Sequence, residues 1–247
     1  MVPCESEGGV TTMSSTDESN AERSAVWASN LARVRERIAA ASAISYRAAD
    51  AVRVLAAVKY IDTAACVDLI HAGVVDLAEN RADALVTKHD GTVLLKPSWH
   101  FIGRLQSRQV RDIAPRVGTI HTLCSESAAG RLVQLDDIPE LFVQVNVADD
   151  PAKDGIAPAD LERFLCALPE PLRVSGLMTM PPFADTAENS RSAFATLREL
   201  RDSVAPAVAG HHGLRALSMG TTQDFDVAVQ EGATHVRLGR ILYDGEE

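Results

Sequence analysis

An α/β fold is what three features of this sequence predict: a TIM-type (β/α)8 barrel preceded by one extra helix and followed by no second domain. Short apolar runs alternate with amphipathic stretches from Val52 onward. The runs number eight in roughly 190 residues, about 24 residues per unit, which is compact but workable for such a barrel. The first run, VRVLAAVKY at Val52–Tyr60, is short and bounded by polar segments, so it reads as a fully buried strand rather than a helix. Strand and helix in alternation imply parallel strands with right-handed crossovers. A doubly wound open sheet is the alternative, but it offers no reason for a count of eight.

The elements follow in order. Residues 1–20 are acidic, contain no Lys or Arg, and carry apolar residues without a period. They are expected to form a disordered tail, with a partner-binding arm as the bolder alternative. From Asn20 to about Ser45, the residues Ala25, Val26, Ala28, Leu31, Val34, Ile38 and Ala41 fall near helical spacing, which predicts a long amphipathic helix. Strands are expected near 52–58, 74–78, 98–103, 118–123, 141–147, 172–178, 214–218 and 234–238. Helices are expected near 62–72, 80–89, 106–115, 125–135, 158–167, 186–205 and 222–231. Gly73 and Gly232 stand where helix C-caps belong, and Asp62, Ser125, Pro158 and Thr222 near helix starts. Residues 21–247 should therefore form a single barrel domain.

Composition narrows the function. A net charge of −10 argues against a nucleic-acid surface, which needs clustered Lys and Arg. No run of eighteen apolar residues suggests a membrane span, and the N-terminus lacks the basic start and apolar block of a secretory signal. Cys4, Cys66, Cys124 and Cys166 are far apart and form no CxxC or Cys/His pair, so no metal site is expected and reduced thiols fit a cytoplasmic protein. A monomer is expected.

In a barrel, chemistry belongs at the C-terminal ends of the strands. The first strand ends in Lys59, where partial desolvation would lower the pKa of the amine and favour attack on a carbonyl; an ordinary solvated lysine is the alternative. The second ends in Asn80, which by local pattern caps the next helix. On the third, Trp99 and Phe101 face one way and His100 and Ile102 the other. His100 reads as a satisfied interior histidine, since no carboxylate or second histidine accompanies it in the sequence. Met178 and Met180 close the sixth strand as gap fillers. The seventh ends in Ser218-Met219-Gly220-Thr221-Thr222, and a helix directly after it would make an anion site. The eighth carries Arg237, Gly239 and Arg240, and phosphate sites in such barrels often lie after strands seven and eight. A carbonyl-binding lysine beside a phosphate cradle suggests pyridoxal 5′-phosphate (PLP). Arg237 would then face the pyridine nitrogen or, alternatively, form an ion pair at the rim.

The segments LAEN, WHFIGRLQS, LFVQVNVADDPAKDG, GLMTM, LSMGTTQDF and VRLGR, in this order after a strand-end lysine, resemble the YggS/PROSC-like pyridoxal-phosphate homeostasis proteins over roughly residues 30–243. The resemblance implies an alanine-racemase-like barrel with a leading helix, the type III PLP fold. It implies that Lys59 carries the PLP aldimine and that Arg237 contacts the pyridine nitrogen. Ser218, Met219, Gly220, Gly239 and Arg240 would hold the phosphate, and Asn80 would line the ring pocket rather than cap a helix. Three positions depart from the family pattern: Val58 and Tyr60 flank the lysine where Ser/Thr and Thr are usual, Arg104 replaces a His, and Arg240 replaces a phosphate-binding Thr. The implied function is a carrier and buffer of PLP in vitamin B6 and amino-acid homeostasis, without turnover, with PLP-dependent apo-enzymes as recipients. A PLP-dependent racemase or lyase of small amino acids is the alternative. A barrel using Lys59 on a sugar phosphate and a scaffold binding a protein partner through the tail and first helix are the remaining readings.

Overall fold

The computed structural model describes residues 15–148, 150, 152–181 and 185–244. Among them, eight parallel strands close into a barrel in chain order: β1 Arg53–Ala57, β2 Asp76–Glu79, β3 Ser98–Phe101, β4 Thr119–Leu123, β5 Glu140–Gln144, β6 Val174–Met178, β7 Ala216–Thr221 and β8 His235–Leu238. β8 pairs with β1, Leu55 opposite Arg237 and Ala56 opposite Leu238, so the open-sheet alternative is excluded. The helices are α1 Ser15–Ile44, α2 Thr63–His71, α3 Ala82–Thr92, α4 Val110–Ile113, α5 Glu126–Leu132, α6 Leu161–Ala167, α7 Arg191–Val208, α8 Phe225–Gln230 and α9 Arg240–Tyr243.

Local chemistry sets several boundaries. Asp62 and Ser125 cap α2 and α5 by accepting the N–H of Ala65 and Ala128. Gly73 and Gly232, with φ of +93° and +103°, take the left-handed turns that end α2 and α8. Two expectations are corrected. α1 begins at Ser15, so residues 15–20 are helical rather than part of a tail; residues 1–14, including Cys4, lie outside the described residues. The helix expected at Thr222 starts at Phe225, because Asp224, whose side chain accepts the N–H and hydroxyl of Thr221, turns the chain first.

The outer core lies between strands and helices. Alternate strand residues such as Val236 and Leu238, Trp99 and Phe101, and Leu217 and Met219 are buried there against the helices. α1 buries Trp27, Leu31, Val34, Ile38 and Ala41, a narrow stripe of alternating four- and three-residue steps. Val26, Ala25 and Ala28 are exposed, because the stripe runs through Trp27 and the buried Asn30 instead. α1 packs across α2, α8 and α9, the helices flanking the β8–β1 closure. Trp27 Nε1 donates to the Tyr243 carbonyl (2.7 Å) and Asn30 Nδ2 to the Leu242 carbonyl (3.0 Å). Arg23–Asp68 and Arg37–Asp226 ion pairs hold the same helix.

The barrel interior is unexpectedly polar. His100 points inward as expected, but a carboxylate and a second histidine do accompany it. Its Nε2 lies 3.1 Å from Asp76 Oδ1 and its Nδ1 3.0 Å from His121 Nε2. The sequence separates these groups by more than twenty residues; closure of β2, β3 and β4 brings them together. Arg53 pairs with Asp76 from the outer end. Burial pushes the Asp76 carboxyl up, but hydrogen bonds to His100 and Arg53 outweigh it and hold the group below the usual carboxylate range. His121 stacks on Phe142 at 4.7 Å, and His235 meets the same ring edge-on at 5.2 Å.

Burial, reinforced by the neighbouring cationic groups, lowers His121 well below an ordinary imidazole and His235 to about 3. The unfolded chain takes up these protons near 6.5, so between about 3 and 6.5 it binds more protons than the folded barrel. The stabilisation is full above that window and is lost as pH falls through it. Urea midpoints measured at pH 7.5 and 5.5 should show a loss of about 1.4 kcal/mol per imidazole. His235→Phe should flatten the profile, and an unchanged slope in that variant would remove His235 as a contributor.

Candidate active site

The candidate site lies on the C-terminal rim of the barrel and begins at β1. The strand ends at Ala57, and the buried Val58 donates its N–H to the Ala78 carbonyl (3.0 Å). The chain then turns out of the sheet, so Lys59 is exposed rather than desolvated as expected. Its Nζ lies 4.8 Å from the centroid of the Tyr60 ring, a cation–π contact.

Asn80 follows β2 and is also exposed. Arg81, not Asn80, occupies the N-cap position of α3, and it makes no side-chain cap. The N–H groups of the two residues leading into α3 are taken by Glu79, whose Oε1 accepts from Asn80 N (2.7 Å) and Arg81 N (3.2 Å). Glu79 is fully buried and paired with Lys88 of α3 at 2.5 Å; Lys88 Nζ also donates to the Val58 carbonyl (2.7 Å). Sequence reasoning missed both residues. The one signal available was a glutamate at the end of a buried strand, which demands a cationic partner without naming it.

Arg237 and Ser218 face the interior together. The buried guanidinium donates from Nη1 to Ser218 Oγ (2.9 Å) and from Nη2 to the Thr179 carbonyl (2.9 Å) and Met180 Sδ (2.9 Å). Burial lowers Arg237 to about 10, partly offset by Asp224, so it remains charged at neutral pH. The rim ion pair considered for Arg237 is therefore replaced by neutral acceptors inside the barrel. Met180 is half-exposed and contacts the arginine rather than filling a gap.

The strand-7 segment divides its roles. Met219 packs outward in the core between barrel and helices, which leaves only its backbone for the interior. The β7–β8 register shifts between Ser218 and Thr221, a bulge that sets Met219 and Gly220 between the paired positions. Gly220 has φ +94°, and a Cβ there would stand 2.6 Å from Ala228 Cβ of α8, so close packing demands this glycine. The anion site expected from a helix directly after β7 is altered. α8 starts later, and Asp224 already accepts the N–H and Oγ1 of Thr221. Gly239 follows β8 beside the end of β1; its N–H donates to Thr222 Oγ1 (3.4 Å), and a Cβ there would lie 3.8 Å from the Ala57 carbonyl. Arg240 opens α9 and is exposed, and Arg104 faces Asp154 at 3.4 Å. Barrel closure thus brings Lys59, Asn80 and Gly239 to one arc of the rim and sets Arg237 and Ser218 beneath it. Among the described residues no cluster of His, Cys, Asp and Glu is placed to hold a metal, and Cys66, Cys124 and Cys166 are free thiols.

These features define a class: a lysine-bearing (β/α)8 barrel with a buried arginine–serine pair under its rim. A family model described as alanine racemase, N-terminal domain, matches residues 28–247. The pyridoxal phosphate homeostasis protein of Aquifex aeolicus is 35% identical over 220 residues, covering 86% of this chain and 95% of that protein. A crystal structure of an unknown protein from Bifidobacterium adolescentis superposes with a TM-score of 0.81 at 29% identity, covering 94% of this chain and 98% of the other. PipY of Synechococcus elongatus, solved with PLP bound, gives a TM-score of 0.74 at 28% identity over 88% of this chain and 99% of that one. The chain belongs to the alanine racemase N-terminal domain family, among the pyridoxal phosphate homeostasis proteins.

The two glycines should respond differently to Ala. Gly220→Ala meets both a forbidden φ and a clash, and should cost at least about 1 kcal/mol in urea unfolding. Gly239→Ala meets contacts of 3.5 Å or more and should cost less than Gly220→Ala. Equal losses at both positions would contradict the packing role assigned to Gly220.

Proposed function

We propose that this protein binds PLP covalently through Lys59 and serves as a carrier and buffer for it, without turnover of its own. The observation that carries the reading is the placement of an accessible Lys59 next to Gly239, with a charged, interior-facing Arg237 held by Ser218 below them. The donor set fits the group. Lys59 supplies the amine. Ser218, the bulged backbone at Met219 and Gly220, Gly239 and Arg240 surround the region assigned to the phosphate, and Asn80 the ring edge. PLP, when bound, supplies an aldehyde that condenses reversibly with an amine and a ring that can draw electrons from a bound amino acid.

The chain's own residues favour holding over chemistry. Arg237 is a fixed cation, and a second positive charge beside it is unfavourable, so a ring nitrogen held there would stay unprotonated and its electron demand would be weak. A second base is also poorly provided. Burial pushes the Tyr243 hydroxyl up to about 12, and its OH is enclosed. Tyr60 is exposed and lies against Lys59 itself. The relatives bearing the homeostasis description are not named as enzymes, which supports the same reading. Cytoplasmic residence and delivery to PLP-dependent apo-enzymes belong to this proposal; no helix among the described residues is long and apolar enough to cross a membrane.

Borohydride treatment of the protein with PLP, followed by peptide mapping, should place the cofactor on Lys59, and Lys59→Ala should lose it. Ser218→Ala should weaken binding about tenfold, the loss of one hydrogen bond to a charged group. Incubation of the loaded protein with L- or D-alanine should yield no racemised product. Steady racemisation that depends on Lys59 would favour the enzyme reading instead.

A further inference from the structure

We propose that Lys88 and Glu79 are positioning residues for Lys59, a role that rests on the PLP reading above. Both are buried, and each touches the backbone next to a rim residue. Lys88 Nζ bridges Glu79 Oε2 (2.5 Å) and the carbonyl of Val58 (2.7 Å), while Glu79 Oε1 takes the N–H of Asn80 (2.7 Å) and Arg81 (3.2 Å). A peptide unit is planar, so fixing the Val58 oxygen fixes the plane that carries the Lys59 nitrogen and Cα. Fixing Asn80 N does the same for the peptide after β2. One ion pair, between β2 and α3, therefore orients the backbone on which Lys59 and Asn80 are mounted.

Stability alone does not account for this arrangement. A buried ion pair is commonly replaced by apolar groups at no loss, whereas removing one partner leaves an uncompensated charge. What an apolar pair could not supply is a donor to the Val58 carbonyl and an acceptor for two N–H groups beside the site. The covalent link is a condensation in which the Lys59 amine attacks an aldehyde and water leaves. Its occupancy depends on where the amine is presented, and Val58 is the anchor of that presentation.

Three variants separate positioning from mere support. Glu79→Gln keeps one oxygen for the two N–H groups and the Lys88 donor for the Val58 carbonyl, but strands the Lys88 ammonium beside an amide N–H. Lys88→Met removes that donor and strands a carboxylate. The double variant removes the donor without stranding a charge. Each is measured for thermal midpoint, for the rate at which bound PLP is lost on dilution, and, without PLP, for the rate of Lys59 acetylation by an amine reagent. The expected result is a midpoint that falls in Glu79→Gln and Lys88→Met and recovers in the double variant, while PLP loss is about tenfold faster in Lys88→Met and the double variant and near parental in Glu79→Gln. Lys59 acetylation should change in Lys88→Met and the double variant. A double variant with parental PLP loss and parental acetylation overturns the proposal. If the parent protein itself takes up no PLP on Lys59, the proposed function falls, and the acetylation rates alone then decide the positioning role.

Discussion

Pairing of β8 with β1 is the constraint on which the rest of this molecule depends. It turns a linear series of strand–helix units into a ring, and it sets Gly239 beside Ala57, two residues from Lys59. Strand pairing at this seam covers four residues in register, from Arg53 opposite His235 to Ala56 opposite Leu238. The structure reinforces it from outside. α1 lies over α2, α8 and α9, and Trp27 and Asn30 hold the last helix by its carbonyls. A helix that is extra to the repeat thus closes the circle where the first and last strands of the barrel meet.

The second organising feature is charge inside a low-dielectric barrel. An unpaired buried charge is costly, so each one here is answered by a partner. Asp76 is answered by His100 and Arg53, Glu79 by Lys88, and Arg237 by a hydroxyl and a carbonyl. The histidines deeper in the barrel, His121 and His235, remain neutral. This gradation leaves Arg237 as the interior cation nearest the rim, and it faces no carboxylate at hydrogen-bond distance among the described residues. An anionic or electron-rich ligand completes such an environment; a cationic one is repelled by it.

The same division bears on the proposal that this chain holds a cofactor without turning over a substrate. The family model the chain matches is that of the alanine racemase N-terminal domain, and the likeness is one of the barrel. A racemase must take a proton on one side of a carbon and return it on the other. In the described residues, the tyrosine beside Gly239 is enclosed and held protonated. On the reading proposed above, Lys59 would hold a ligand by its amine and Arg237 would orient it.

The sequence alone determined the barrel and the strand positions to within a few residues, and it marked the polar residues at the strand ends, because these are local properties. A period of two against a period of three to four, a glycine after a helix, and a lysine after an apolar run are all visible along the chain. It also determined that Trp99 and Phe101 face away from His100. Only the tertiary structure decided which groups meet. Asp76, His100, His121 and His235 lie on four strands, and nothing along the chain couples them. Glu79 and Lys88 are nine residues apart, and the chain does not show that both converge on the backbone beside Lys59. The exposure of Lys59, the outward turn of Met219, and the use of Gly220 for packing against Ala228 followed from where strands end and helices land. Side-chain partners in a closed barrel are set by register and closure, which are long-range properties, and those no local pattern contains.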